Sequence, residues 1–312
     1  MAAFLSSASP ASSLPSSASS PAPAPASAPR YEPSLRAPRW IPSLPGAAAT
    51  LRAGALLALT ATLAVLAPGA HAQVFGDRDP AAASSTTLGL GVAGAFRQRP
   101  YAGADRKNDV VPVLFVESPW FRLSGGAADL KLWRHQFAPG NSLEASARLK
   151  YEPEGYKAGD SPALAGMDKR KDAFLGGGAL AWRTPWVDVG AEWVADLAGD
   201  SKGQKLSLQV EHRFTLGPLG VTPRAKAQWL DRKYVDYYFG VRAAEVLPGR
   251  ALYLGEAATT AEAGVRVDYA IGRRHSVFID ASVTRLPDEI RQSPIVSRKD
   301  SSRLAVGYLY RF

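Results

Sequence analysis

At 312 residues, with 37 Lys+Arg against 28 Asp+Glu and no Cys, the chain is basic and long enough for one large or two ordinary domains. The cysteine count excludes a disulfide framework, and no Lys/Arg run or base-stacking motif marks a nucleic-acid reader. A negatively charged membrane surface is the partner that this charge balance suits.

The first stretch is not domain material. Residues 1–50 are dominated by Ala, Ser and Pro, as in "SSASPASSLPSSASSPAPAPASAP", with too few branched or aromatic side chains to offset the entropy of ordering. They are expected to be a disordered extension, or to lie upstream of the true start codon. Residues 51–72, with Arg39 upstream, then have signal-peptide architecture: Arg52, an uncharged apolar run from Ala53 to Ala67, the helix-breaking Pro68-Gly69 pair, and small residues at Ala70 and Ala72. The run is too short for a spanning helix of roughly 20 residues. Cleavage after Ala72 is expected, so that the mature chain begins at Gln73. It then carries 33 basic and 27 acidic residues, with 73–85 as a periplasmic N-terminal segment.

From residue 86 onward the pattern has period two. "TLGLGVAGAF" places Gly89, Gly91, Ala93 and Ala95 opposite Leu88, Leu90, Val92 and Phe96. "SLEASARLKY" sets Leu143, Ala145, Ala147, Leu149 and Tyr151 against Glu144, Ser146, Arg148 and Lys150. "KLSLQVEHRF" and "VTPRAKAQW" repeat the alternation, as does "TAEAGVRVDYAI" with Ala261, Ala263, Val265, Val267 and Tyr269 against Glu262, Arg266 and Asp268. Such strands build either a soluble sheet with one wet face or a transmembrane barrel with lipid outside and a polar lumen.

Three features select the barrel. Strands of about ten residues suit a tilted bilayer crossing. Trp120, Tyr151, Trp182, Trp186 and Trp229 stand at the ends of apolar stripes, where interfacial girdles lie. The leader directs export. The expected fold is therefore all-β: an antiparallel up-and-down transmembrane β-barrel over residues 86–312, with about twelve strands. That count needs the segment Trp120 to Arg134 to be two short strands broken at Gly125-Gly126. Tight turns are expected at Ser118-Pro119, Thr184-Pro185, Gly217 to Gly220 and Gly272 to Arg274, on the periplasmic side. Long outer loops are expected from Arg97 to Asp109, Glu152 to Asp172, Leu230 to Thr259 and Leu286 to Ser302.

The chain ends on "SSRLAVGYLYRF", an alternating strand whose last residue is itself aromatic. Tyr308, Tyr310 and Phe312 resemble the terminal signal that the bacterial barrel-assembly machinery recognises. The same strand has to close the barrel against the first one, so its end is not free to fray.

"RPYAGAD" (Arg99 to Asp105), "DSPALAGM" (Asp160 to Met167), "DRKYVDYYFGV" (Asp231 to Val241) and "SPIVSRKDSSRLAVGYLYRF" (Ser293 to Phe312) together resemble the MipA/OmpV family of outer-membrane proteins. The likeness covers nearly all of Leu88 to Phe312; "YLGEAATTAEAG" departs from it by having less Gly after YFGV. The resemblance implies an outer-membrane barrel. For the founding members it implies a scaffold that brings a murein lytic transglycosylase to a penicillin-binding protein, whereas other relatives are porin-like. Outer-membrane lipid and lipopolysaccharide are the expected surroundings.

Catalytic groupings are weak. His275 and Ser276, like His212 and Glu211, are neighbours that a strand points to opposite faces, and no His pair has metal-ligand spacing. "LGGGALAW" lacks the Lys-Ser/Thr and the strand-to-helix setting of a phosphate loop; small inward residues fit it better. No enzyme activity, cofactor or metal is expected. Two functions stay open, a scaffold for cell-wall enzymes and a small-solute channel. The lumen should decide between them, with Glu144, Arg148, Lys150, Glu192, Lys205, Glu211, Arg213, Arg224, Lys226, Glu262, Arg266, Asp268 and Asp280 pointing inward as a plug or as a wet lining. Asp231, Tyr234, Tyr238 and Phe239 form either an exposed interaction patch or aromatics folded onto the loop base.

Overall fold

The computed structural model describes residues 86–312. The extension at 1–50, the signal peptide at 51–72 with Ala70 and Ala72, and the segment 73–85 lie outside the described residues.

Consecutive crossings of the wall pair antiparallel, which is what the alternating sequence dictates. The order is β1 (Thr87–Gln98), β2 (Lys107–Glu117), β3 (Phe121–Ser124), β4 (Ala127–Ala138), β5 (Asn141–Glu152), β6 (Ala173–Arg183) and β7 (Asp188–Asp196). There follow β8 (Gln204–Glu211), β9 (Phe214–Leu216), β10 (Leu219–Leu230), β11 (Ala258–Ile271), β12 (His275–Arg285) and β13 (Asp300–Arg311). The last strand pairs with the first over ten positions, from Gly89 with Arg311 to Gln98 with Ser302, so the sheet closes on itself and has no long free edge at that seam.

The thirteen segments make twelve crossings, because β8 and β9 are one strand interrupted at residues 212–213. The cause is Pro223, which sits across from His212 on β10 and has no N–H to give the ladder. One bond survives there, from the His212 N–H to the Pro223 carbonyl at 3.3 Å. Pairing resumes in the same register with Val221 opposite Phe214.

The break at Gly125-Gly126 is present, and both glycines have positive φ, 56° and 81°, a turn conformation that a side chain would oppose. Of the two strands it separates, only β3 is short. β4 runs twelve residues to Ala138 and turns at Pro139-Gly140, a hairpin not foreseen in the sequence. A bulge at Leu132 explains why. Lys131 is opposite Ser146 but Trp133 is opposite Ala145, so one extra residue is inserted and the outward parity switches from even to odd numbers. Trp133, His135 and Phe137 consequently share the outer face, with Trp133 and His135 stacked at 5.9 Å. Beyond the β3 partners of residues 127–130, the lower half of β4 pairs only with β5.

Alternation fixes the faces. In β8, Leu206, Leu208 and Val210 are 50%, 53% and 39% exposed, while Lys205, Ser207, Gln209 and Glu211 are all under 9%. Apolar residues outside and charged residues inside is the inverse of a soluble protein and the pattern of a barrel in lipid. At the short-turn end Trp120, Trp186 and Phe312 are exposed aromatics; at the long-loop end Phe96, Phe174 and Trp229 play the same part.

Close strand approach at the seam depends on a missing side chain. A Cβ on Gly91 would meet the Tyr308 carbonyl oxygen at 2.0 Å. Gly91→Ala should therefore push β13 away from β1 and cost about 1–3 kcal/mol as an overpacked contact. Urea titration of the refolded barrel, followed by heat-modifiable gel mobility, measures this, and an unchanged midpoint would show that the seam absorbs the methyl group.

Candidate functional site: the charged lumen and its loop-filled mouth

The inward faces of β2 to β8 carry one continuous ion-pair network. Arg122 bonds Glu117 at 2.8 Å and Glu144 at 2.8 Å, and it approaches Asp129 at 3.5 Å. Arg148 holds Asp129 and Glu192 at 2.6 Å each. Lys150 continues it to Glu192 at 2.8 Å and Glu152 at 3.0 Å, and Lys205 ends it on Glu152 at 2.5 Å. Lys131 joins at Glu117.

The local sequence explains how β5 reaches β7 past the strand between them. Gly177 and Ala179 of β6 are the residues opposite Arg148 and Ser146, and they leave the space that Arg148 and Lys150 cross to Glu192. The "LGGGALAW" stretch thus serves packing of the wall.

A second group lies on the opposite wall. Arg224 bonds Asp280 at 2.7 Å and approaches Glu262 at 3.6 Å; Lys226 is 3.3 Å from Glu262; Arg213 pairs with Asp268. Arg266 lies 4.1 Å from the centre of the Phe278 ring and has no carboxylate at ion-pair distance among the described residues, a condition it shares with Arg303. The inward-facing charges proposed from Glu144 onward all fall on the lumen side. Missing from that set were Glu117, Arg122, Asp129, Lys131 and Glu152, because β3 is too short to display a period, the bulge scrambles β4, and Glu117 and Glu152 stand at the very ends of their strands.

At the long-loop end four connections fold together. The helix Arg232–Phe239 is capped by Asp231, whose carboxylate accepts the Tyr234 N–H at 2.8 Å. It packs against the inward-facing Ala173, Leu175 and Val194 of the wall, which places it inside the mouth. Tyr234 lies over Lys205, with the ammonium 4.7 Å from the ring centre. Tyr238 is 1% exposed and donates its hydroxyl to the Lys171 carbonyl at 2.9 Å. Tyr234 and Tyr238 therefore belong to the loop base and not to an exposed interaction patch; Phe239 is half-buried against the same packing. Burial pushes both phenols above their ordinary value, so they stay neutral.

A second apolar cluster of Tyr101, Tyr156, Leu164, Met167, Val241 and Ile295 joins the loops after β1, β5, β10 and β12. Its polar counterpart is a clamp. Arg170 grips both oxygens of Glu245 at 2.9 Å and donates to the Tyr237 carbonyl at 2.8 Å, while Glu245 also accepts the Asp168 and Arg242 backbone N–H groups at 3.0 and 2.9 Å. Burial by itself would raise the Glu245 pKa, but these donors together hold it below its ordinary 4.5. A carboxylate with a depressed folded-state pKa contributes stability that is complete above the unfolded value and is lost as pH falls through the folded one. The loops should accordingly resist limited proteolysis from neutral pH down past 4.5 and loosen only below it, whereas Glu245→Gln should be cut readily already at pH 7. Equal cleavage of both proteins at pH 7 would show that the clamp holds nothing.

The other proposed residues fall at strand ends. The Phe312 N–H donates to the Leu88 carbonyl at 2.9 Å and its ring packs edge-on to Tyr310 at 4.9 Å, so the terminal residue is fixed to the first strand. The Tyr308 hydroxyl is 2.6 Å from His275. His212 and Glu211 point to opposite faces, as do His275 and Ser276, and no cluster of metal-ligating side chains occurs among the described residues.

A closed antiparallel barrel with apolar stripes outside, girdles at both rims and charges within defines an integral β-barrel protein of the bacterial outer membrane, with long loops outside and short turns in the periplasm. Residues 90–312 match the model of the family described as MltA-interacting protein MipA, and the chain belongs to that family. It is 28% identical over 262 residues to the MltA-interacting protein of Escherichia coli (strain K12), covering 82% of this chain and 98% of that protein. It is 27% identical over 236 residues to the putative outer membrane protein YiaT of the same organism, covering 74% and 94%. Outer membrane protein OmpV of Vibrio cholerae is 26% identical over 196 residues, 59% of this chain and 73% of its own. The solved NanC porin shares 9% identity and a TM-score of 0.36 over 71% of this chain and 98% of its own, a likeness too slight to carry an argument.

Proposed function

We propose that the protein is a non-enzymatic platform in the outer membrane that holds cell-wall enzymes at its periplasmic turns, first a lytic transglycosylase and through it a penicillin-binding protein. The observation that carries this is the mouth: apolar clusters and the Arg170–Glu245 clamp fill the outer end, and ion pairs span the wall below it. A barrel built that way spends its lumen on rigidity and leaves its ends for binding. The relative whose name records an interaction with MltA matches over 98% of its own length, which supports the same partner here. The barrel-assembly machinery is proposed to read Phe312, and lipid with lipopolysaccharide to surround the apolar stripes.

Among the described residues, topology restricts such a partner to the turns at 118–120, 139–140, 184–187, 217–218 and 272–274. The refolded protein should retain a purified lytic transglycosylase on an affinity column. Glycine-serine replacement of 184–187 and 272–274 should release it, while Val246→Ser and Leu247→Ser in the outer loop should not. Retention that depends on the loop and ignores the turns would overturn the platform.

A second function, a small-solute channel, is favoured by one observation only. Arg266 and Arg303 stand on the lumen side with no carboxylate at ion-pair distance among the described residues and would suit an anion path.

A further inference from the structure

Between the loop after β1 and the loop after β5, on the outer surface, lies a cavity of about 590 Å³. Seven of its lining side chains are Lys or Arg and three are Asp. Its walls are tied together by Arg99, which crosses from the first loop to donate to the Gly155 carbonyl at 3.2 Å and to Asp160 at 3.0 Å. The Gly155 N–H is in turn held by Asp172 at 2.9 Å, so the concavity is formed without a ligand.

The cations divide by what they already hold. Arg99 is committed to Asp160, Arg170 to Glu245, and Lys171 to Asp200 at 2.9 Å. Among the described residues Arg106 donates only to the neutral Gln98 side chain. Lys107, Lys157 and Lys169 have no carboxylate at ion-pair distance among the described residues. Counting Glu245 and Asp200, which reach in from outside the cavity, seven cations face five acids. The surplus of two equals the charge of a phosphate monoester, about −1.5 to −2 near neutral pH. A carboxylate would leave one cation uncompensated. The uncommitted ammonium groups come from separate segments, and Lys107 is directly opposite, across the β1–β2 ladder, Arg97, whose own charge is already met by Asp109 at 3.1 Å.

We propose that this cavity binds a phosphate monoester, with Lys107, Lys157, Lys169 and Arg106 as its donors. Two sources share that chemistry: phosphorylated core sugars of lipopolysaccharide in the same leaflet, and soluble sugar phosphates outside the cell.

Calorimetric titration of the refolded protein with glucose 6-phosphate, glucose and glucuronate tests the soluble source. Flotation with vesicles containing lipopolysaccharide, intact or chemically dephosphorylated, tests the lipid one. Phosphate-dependent binding in either arm is the expected result, and the arm that shows it identifies the source. The triple variant Lys107→Gln, Lys157→Gln, Lys169→Gln should weaken that binding at least tenfold, the three matching Lys→Arg changes should restore it, and Lys233→Gln, which lies outside the cavity, should stay within twofold of the original. Heat-modifiable mobility confirms that each variant is folded. Absence of phosphate-dependent binding in both arms, glucuronate binding as tight as the phosphate ester, or a triple glutamine variant that binds like the original would each overturn the proposal.

Discussion

Replacing Arg148 by Met should destabilise the barrel by about 3–5 kcal/mol, the cost of breaking a buried pair and leaving its partners charged. The Arg148 side chain has no exposed surface and serves two carboxylates, Asp129 and Glu192, each 2% exposed. Lys150 still reaches Glu192 after the change and Arg122 still approaches Asp129 at 3.5 Å, so the network is weakened at its centre without being emptied. If the loss comes from uncompensated charge and not from lost packing, adding Asp129→Asn and Glu192→Gln should recover most of it. Urea titrations of all three proteins into lipid vesicles separate the two causes. A triple variant no better than the single one would mean that the guanidinium acts mainly by filling space.

The next largest effect is expected on the opposite face of the same strand. Ala147 lies between Ala145 and Leu149 on the outward stripe of β5, and Ala147→Arg near the bilayer midplane should cost about 2–4 kcal/mol. Ala147→Leu adds apolar surface to the same stripe and should cost nothing. Titrations like those above compare them, and equal behaviour of the two variants would show that the stripe does not face lipid.

Period-two sequence was enough to read the faces of β5, β8, β10 and β11, because one side of each strand meets hydrocarbon and the other meets charge. The closing role of the last strand was also legible, since "SSRLAVGYLYRF" carries a full alternating crossing with Leu304, Val306, Tyr308 and Tyr310 on one face. Three things were not. The bulge at Leu132 swaps the faces within β4, and nothing in "DLKLWRHQF" marks which residue is the extra one. The interruption at residues 212–213 is caused by Pro223 on the neighbouring strand, so its signal lies outside the segment that shows it. The clamp joins Arg170 to Glu245 across two loops, and Tyr101 donates to the Tyr238 carbonyl at 3.3 Å from a third. Contacts between residues so far apart in sequence leave no local pattern, which is why the Tyr-rich helix allowed two readings until its place in the mouth was known.

Function turns on whether that mouth is shut. Loops that pack the buried face of an amphipathic helix against inward-facing Leu175 and Val194, tie it to Tyr101, Arg170 and Ser293, and stand above a paired lumen should pass no steady current. Planar-bilayer conductance of the refolded protein measures this directly. The intact protein should give a baseline indistinguishable from bare lipid, with openings only when Arg170→Ala and Glu245→Ala release the clamp. Steady, porin-sized conductance from the intact protein would contradict it and make the barrel a channel.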